Sequence, residues 1–147
     1  MTSLPYVQMQ DRLAPAEAQY IEGRMDVSAL LGTWINTNRT ARGIAQIVLR
    51  TDDDGQLIVQ AFGAEAPTLC DWGEIHTDVV YAENLQSHAG MAFTARYDFD
   101  FLQAHLQGNL NLGLLVLASF NRFTDDSARS DYFAREFFYR LTTSPHL

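Results

Sequence analysis

The chain contains no lysine: all ten of its basic residues are arginine. That absence removes lysine Schiff-base catalysis and the phosphate-gripping lysine of a P-loop together. There is one cysteine, Cys70, which excludes an intrachain disulfide and a cysteine-based zinc site. No apolar run approaches the roughly 18 residues of a membrane span. Residues 1–25 hold neither a basic n-region nor a continuous apolar h-region. No secretory signal is read there, and a cytoplasmic location is expected. Positive charge is scarce, and the net charge is −8. That balance argues against nucleic acid, whose binding rests on neutralising phosphates. It argues equally against an anionic membrane surface. The four histidines, at 76, 88, 105 and 146, form no His-x-His or His-Glu-x-x-His pair. A metal site would need His76 and His105 to meet a carboxylate, and none is expected; nor is a cofactor. A Gly-x-Ser-x-Gly elbow and a nucleotide-binding loop are also missing from the sequence.

What is present is strand. The 147 residues suffice for one domain with a real core, and 47% of them are hydrophobic. Residues 1–25 read as an N-terminal arm with a short helix over Ala16–Glu22, between Pro15 and Gly23. The arm lies on the main domain or on a second subunit, which would make a homodimer. Residues 26–147 form the single main domain. Asp26 caps a helical turn over Val27–Leu31. Eight strand-like runs then follow: 32–37, 44–50, 57–62, 70–77 with an extension to 81, 91–99, 102–110, 114–123 and 132–141. Period-two alternation is clearest in the fifth, where Met91, Phe93, Ala95, Tyr97 and Phe99 share a face. Asp52-Asp53-Asp54-Gly55 marks a tight hairpin. Short turns between successive runs predict an all-β, up-and-down antiparallel barrel, a form that removes sheet edges and leaves room for a small ligand.

Gly32-Thr33-Trp34 at the start of the first strand, with an arginine in the last, resembles the opening of calycin (lipocalin-like) barrels. The resemblance implies that Trp34 packs across one closed end, with Arg140, or else Arg135, over its ring. A second segment, Ala61-Phe62-Gly63 followed by Cys70-Asp71-Trp72-Gly73-Glu74, resembles small bacterial proteins of this size. They also end in an Arg-Glu-x-Phe-Tyr-Arg-like strand, and in them a second cysteine is expected where this chain has Glu65. No settled function comes with that likeness.

Within such a barrel two columns could carry chemistry. In the fourth strand, Trp72, Glu74 and His76 alternate with Gly73, Ile75 and Thr77. If the first set faces the lumen, it joins an aromatic platform, a carboxylate that desolvation would make an acid or base, and an imidazole. If it does not, Ile75 faces in and both polar groups meet solvent. In the last strand, Phe133, Arg135, Phe137 and Tyr139 share one face, while Tyr132, Ala134, Glu136, Phe138 and Arg140 share the other. Both are aromatic, so alternation leaves the inward face open. The candidate catalytic residues are Glu74, His76, Tyr139 and Arg135. The candidate ligand-binding residues are Trp72, Phe93, Tyr97, Phe137 and Phe133. The expected ligand is a hydrophobic small molecule. Fold-level resemblance to spirotetronate-type cyclases and plant allene oxide cyclases implies a cofactor-independent cyclase or isomerase acting on a polyketide- or polyene-like metabolite. The alternative is a non-catalytic carrier of a lipid, pigment or haem.

Overall fold

The first strand, β1 (Gly32–Asn36), is short, and it pairs with both its successor and the last strand. A computed structural model, describing residues 6–12 and 25–142, gives nine strands. The helix expected over Ala16–Glu22 lies outside the described residues, as does His146. After β1 come β2 (Ile44–Thr51), β3 (Leu57–Gly63), β4 (Cys70–His76) and β5 (Val79–Ala82). The remaining strands are β6 (Gly90–Asp98), β7 (Leu102–Asn111), β8 (Leu114–Phe123) and β9 (Tyr132–Arg140). Every ladder is antiparallel, in the order β4-β3-β2-β1-β9-β8-β7-β6-β5. The sheet curls into a half-barrel. No helix among the described residues is long and apolar enough to cross a membrane, which says nothing of a strand-built span.

The count of nine corrects the expectation of eight, and the reason is a change of partner. The extended run from Cys70 to Tyr81 is one stretch of chain, but it leaves β3 after His76. Thr77 N still donates to Leu57 O, and the next amide, Asp78 N, donates to Thr94 O instead. The run therefore divides into β4, bound to β3, and β5, bound to β6. Two residues of chain join the sheet's outermost strands.

The Asp-Gly hairpin forms as expected. Asp52 accepts backbone N–H groups of Asp54 and Gln56, and Gly55 takes a φ of +80°. The β7–β8 turn is less comfortable. Leu112 sits there at φ +51°, almost fully exposed, followed by Gly113 at +80°. A leucine gains nothing from that exposure and meets the left-handed steric cost. Leu112→Asn should raise the unfolding free energy by about 0.5–1 kcal/mol, since Asn tolerates this conformation. Urea denaturation will measure it, and an unchanged midpoint would mean that the turn holds no strain.

The core runs along the inward face of all the long strands. Its fully buried members include Leu30, Trp34, Ile47, Leu49, Phe93, Leu106, Leu115 and Phe138. One end is closed by a 3-10 turn, Ser28–Leu30, whose Ser28 N–H bonds the Asp26 carboxylate. That bond lowers the Asp26 pKa. Trp34 is 1% exposed, and its Nε1–H donates to Leu30 O at 2.9 Å. The Arg140 guanidinium lies 4.7 Å from the centre of the indole and donates to Ala29 O. The expected Trp34–Arg140 cation–π pair is thus present, and Arg135 takes no part in it. Gly32 opens the strand at a φ of +132°, in the left-handed region that favours glycine, with the Arg140 side chain passing beside it in ordinary contact.

Candidate functional site

The Trp34–Arg140 pairing fixes which face of β9 is inward. Residues two, four and six before Arg140 must share its side, and they do: Phe138 is fully buried, and Glu136 and Ala134 are half-buried. The opposite face carries Phe133, Arg135, Phe137 and Tyr139, all exposed. Those four candidates are therefore outside the half-barrel, and a lumen site receives none of them.

In β4 the expected alternation is broken. Gly73 takes a φ of +92°, and the β3–β4 register shifts between Gln60 and Phe62. This bulge is held by Asp71, which accepts from Gly73 N at 2.8 Å and from Gln60 Nε2 at 3.1 and 3.0 Å. One extra residue flips every later side chain. Trp72 and Ile75 consequently pack on the core, while Glu74 and His76 turn to solvent. Glu74 forms an exposed ion pair with Arg50 at 2.7 Å, and His76 meets Asp52 at 2.9 Å. The proposed column of Trp72, Glu74 and His76 does not exist. Exposed pairs of this kind are worth little. The Asp52 pKa is lowered, first by its bond to His76.

Trp72, Phe93 and Tyr97 do face inward. The Trp72 ring stands edge-on to Tyr97 at 5.5 Å and to Phe99 at 5.6 Å. Its Nε1 lies over Gly63, 2.8 Å from where a Cβ would be. Phe93 fills the space that a side chain at position 108 would take, which is why Gly108 stands opposite it. Tyr97 ties separate strands together: its hydroxyl accepts from Ala61 N at 2.8 Å and donates to Gly73 O at 2.6 Å. Burial pushes its pKa up to about 12. The hydroxyl therefore stays protonated at neutral pH and serves as a clamp rather than a base.

That clamp has a pH signature. An unfolded tyrosine ionises near pH 10. The folded protein holds its Tyr97 proton to about pH 12. The stability it contributes is complete below about pH 10 and is lost as pH rises toward 12. Tyr97→Phe should cost about 1–3 kcal/mol at neutral pH, because the Ala61 N–H and Gly73 carbonyl lose their partner. It should also flatten the alkaline fall. A variant with an unaltered fall between pH 10 and 12 would show that Tyr97 does not govern it.

Beneath Trp72, at the end of the half-barrel away from Trp34, the inward faces leave a cavity of about 30 Å³. That space holds one or two waters. Its apolar walls are Ile44, Trp72, Leu117, Ala134 and Phe138, and its polar lining is Ser119, Asn121, Glu136 and the Tyr132 side. Asn36, next to it on β1, donates to Glu136 Oε2 at 2.5 Å and to Ile44 O at 2.9 Å. Asn121 Nδ2 donates to Ser119 Oγ at 3.2 Å. Among the described residues every buried side-chain nitrogen and oxygen has a partner. Three adjacent strands thus bring a carboxylate, two amides and a hydroxyl to the mouth of an otherwise apolar interior. Phe93 and Tyr97 pack deeper and do not line this space.

The chain matches no family model, no curated protein and no solved structure. The mouth site therefore rests on its own geometry.

Glu136, Asn36, Ser119 and Asn121 are the functional candidates that the sequence reading did not select. Cys70 is exposed on β4, and partial desolvation followed by the Glu65 carboxylate raises its thiol pKa. Such a thiol is a poor nucleophile at neutral pH. No group of three or more His, Cys, Asp or Glu side chains is placed to hold a metal among the described residues.

Proposed function

We propose that this chain is a calycin-like barrel that binds a hydrophobic small molecule by its polar head at the Glu136 mouth. The Gly32-Thr33-Trp34 opening, with Arg140 over the indole, supports the calycin part of this reading. The observation that carries the site is the inward Glu136 carboxylate, hydrogen-bonded by Asn36 amid apolar walls. A ligand larger than water enters by displacing Trp72, which hangs from the bulged edge strand β4.

The reaction that suits this site is a cofactor-independent cyclisation or isomerisation. Glu136 exchanges a proton with the substrate, and the Asn121 amide and Ser119 hydroxyl orient a carbonyl or hydroxyl head. The apolar walls hold the flexible remainder in its reactive shape. The deeper lumen is filled by Trp34, Phe93, Leu106 and Phe138, so the ligand's tail lies at the mouth rather than along the barrel axis. That filling disfavours a carrier that would enclose a long lipid.

The test is to purify the protein from its native host, extract it with organic solvent and identify the co-purifying compounds by mass spectrometry. A polyketide- or polyene-like compound with a carbonyl or hydroxyl head supports the reading. A stoichiometric haem or fatty acid contradicts it and favours the carrier.

A further inference from the structure

The outward face of β6–β9 has a composition unlike the rest of this acidic chain. The ladder registers align Arg96, His105, Phe120 and Phe133 in one row across the four strands. The rings form a continuous platform: His105 to Phe120 is 6.5 Å and Phe120 to Phe133 is 5.1 Å between centroids. Arg122 lies two residues from Phe120 on β8, and Arg135 two residues from Phe133 on β9, both on this same face. A shallow groove of about 420 Å³ runs along the row between Arg96 and Phe133.

Two observations separate this face from ordinary sheet surface. Phe120 and Phe133 are each about half exposed, at 45% and 54%, on a long antiparallel sheet whose other side already holds the core. Three guanidinium groups, Arg96, Arg122 and Arg135, gather on this one face, none in an ion pair with a described residue; Arg96 and Arg122 line the groove, and Arg135 lies beside it. One carboxylate, Asp131, lines the groove at its Arg122 end, with Oδ1 accepting from the Phe123 N–H at 2.8 Å, and Asp98 stands opposite Gln103 by register. Exposed rings beside unpaired guanidinium groups are a recognition surface for a flat anion: the rings stack and the arginines neutralise.

We infer that this groove binds a small aromatic anion, a planar ring system bearing one carboxylate or phosphate. The charge pattern selects this occupant over larger ones. A nucleic acid strand would feel the net charge of −8 along its whole length, whereas a small anion feels mainly the local arginines. A symmetric pair of chains joined here would set the same three arginines against each other. Glu136 and Phe133 are on opposite faces of β9, and Asn121 and Tyr132 border both the groove and the mouth cavity, so the inference rests on the outward rings and arginines alone.

Fluorescence titration with 8-anilinonaphthalene-1-sulfonate, an anion built on a planar naphthalene ring, tests it. We expect saturable binding that weakens about tenfold or more in Arg96→Gln/Arg122→Gln and that also weakens as salt is raised. Far-ultraviolet circular dichroism confirms that the variant is folded, and Phe133→Ala supplies an independent check on stacking. Displacement of the probe by 2-naphthoate assigns a carboxylate-bearing ligand, and displacement by adenosine 5′-monophosphate a phosphate-bearing one. Absence of saturable binding, equal binding by the folded double variant, or failure of both competitors to displace the probe would overturn the inference.

Discussion

Trp34→Ala should lower the unfolding free energy by about 3–5 kcal/mol, the range for deleting a large buried aromatic. Trp34 is fully buried and spans the closed end from β1 to the Ser28–Leu30 turn. Its removal costs packing, the Nε1–H bond to Leu30 and the platform beneath Arg140. Trp34→Phe separates these terms. It keeps an aromatic ring but deletes the donor, so it should cost less, with about 1 kcal/mol of the loss due to the hydrogen bond. A double-mutant cycle with Arg140→Ala isolates the cation–π pair, whose coupling should be about 0.5–2 kcal/mol. Urea denaturation reads the wild type and all four variants. A loss below about 1 kcal/mol for Trp34→Ala would mean that the chain relaxes to refill this end, and that Trp34 does not close it.

The second large effect concerns chemistry. Glu136→Gln preserves the size of the side chain and leaves an oxygen to accept from Asn36, but it removes the carboxylate that takes up and returns a proton. Turnover of the substrate found by extraction should fall about 10²–10⁴-fold, the usual contribution of a general acid or base. Stability should change little, because Glu136 is only half-buried and its Asn36 partner keeps its bond to the Ile44 carbonyl. Glu74→Gln and Tyr139→Phe are the matched controls. Both residues are exposed on the outer surface, and Glu74 is already paired with Arg50. Their rates should stay at the wild-type level. A rate lost in Glu74→Gln and kept in Glu136→Gln would move the chemistry to the outside of the sheet.

The arrangement of strands was legible because each long run announces its face. In β6, Phe93, Ala95 and Tyr97 alternate with Thr94 and Arg96, and the inward set is buried as read. The closed end was legible from the Gly-x-Trp pattern and the terminal arginine. Strand β4 stayed open between two orientations, and neither allowed Trp72 and Ile75 to face inward together, because Gly73 was treated as one step of a strand. A glycine inside a run, next to an aspartate able to bond its amide, is a bulge signal. Allowing for it selects the alternative with Ile75 inward and Glu74 outward, and keeps Trp72 inward as well. Strand β9 could not be oriented by alternation, since Phe137 and Phe138 are equally apolar. It could have been oriented by parity: an Arg140 that covers Trp34 forces Phe138 and Glu136 to the inside. The same parity places Asn36 beside them, two residues after Trp34. Ser119 and Asn121 had no such cue, because Leu114 to Leu117 are apolar at every position.

Glu136 marks the proposed ligand site. The most direct measurement is a set of intermolecular nuclear Overhauser effects between isotope-labelled protein and N-phenyl-1-naphthylamine, a neutral apolar probe whose single N–H can bond the carboxylate. The account predicts cross-peaks to Leu117, Trp72 and Ala134, with the Trp72 ring resonances shifting as the indole yields. Cross-peaks confined to Phe120 and Phe133 on the outer face, with the mouth unperturbed, would contradict it.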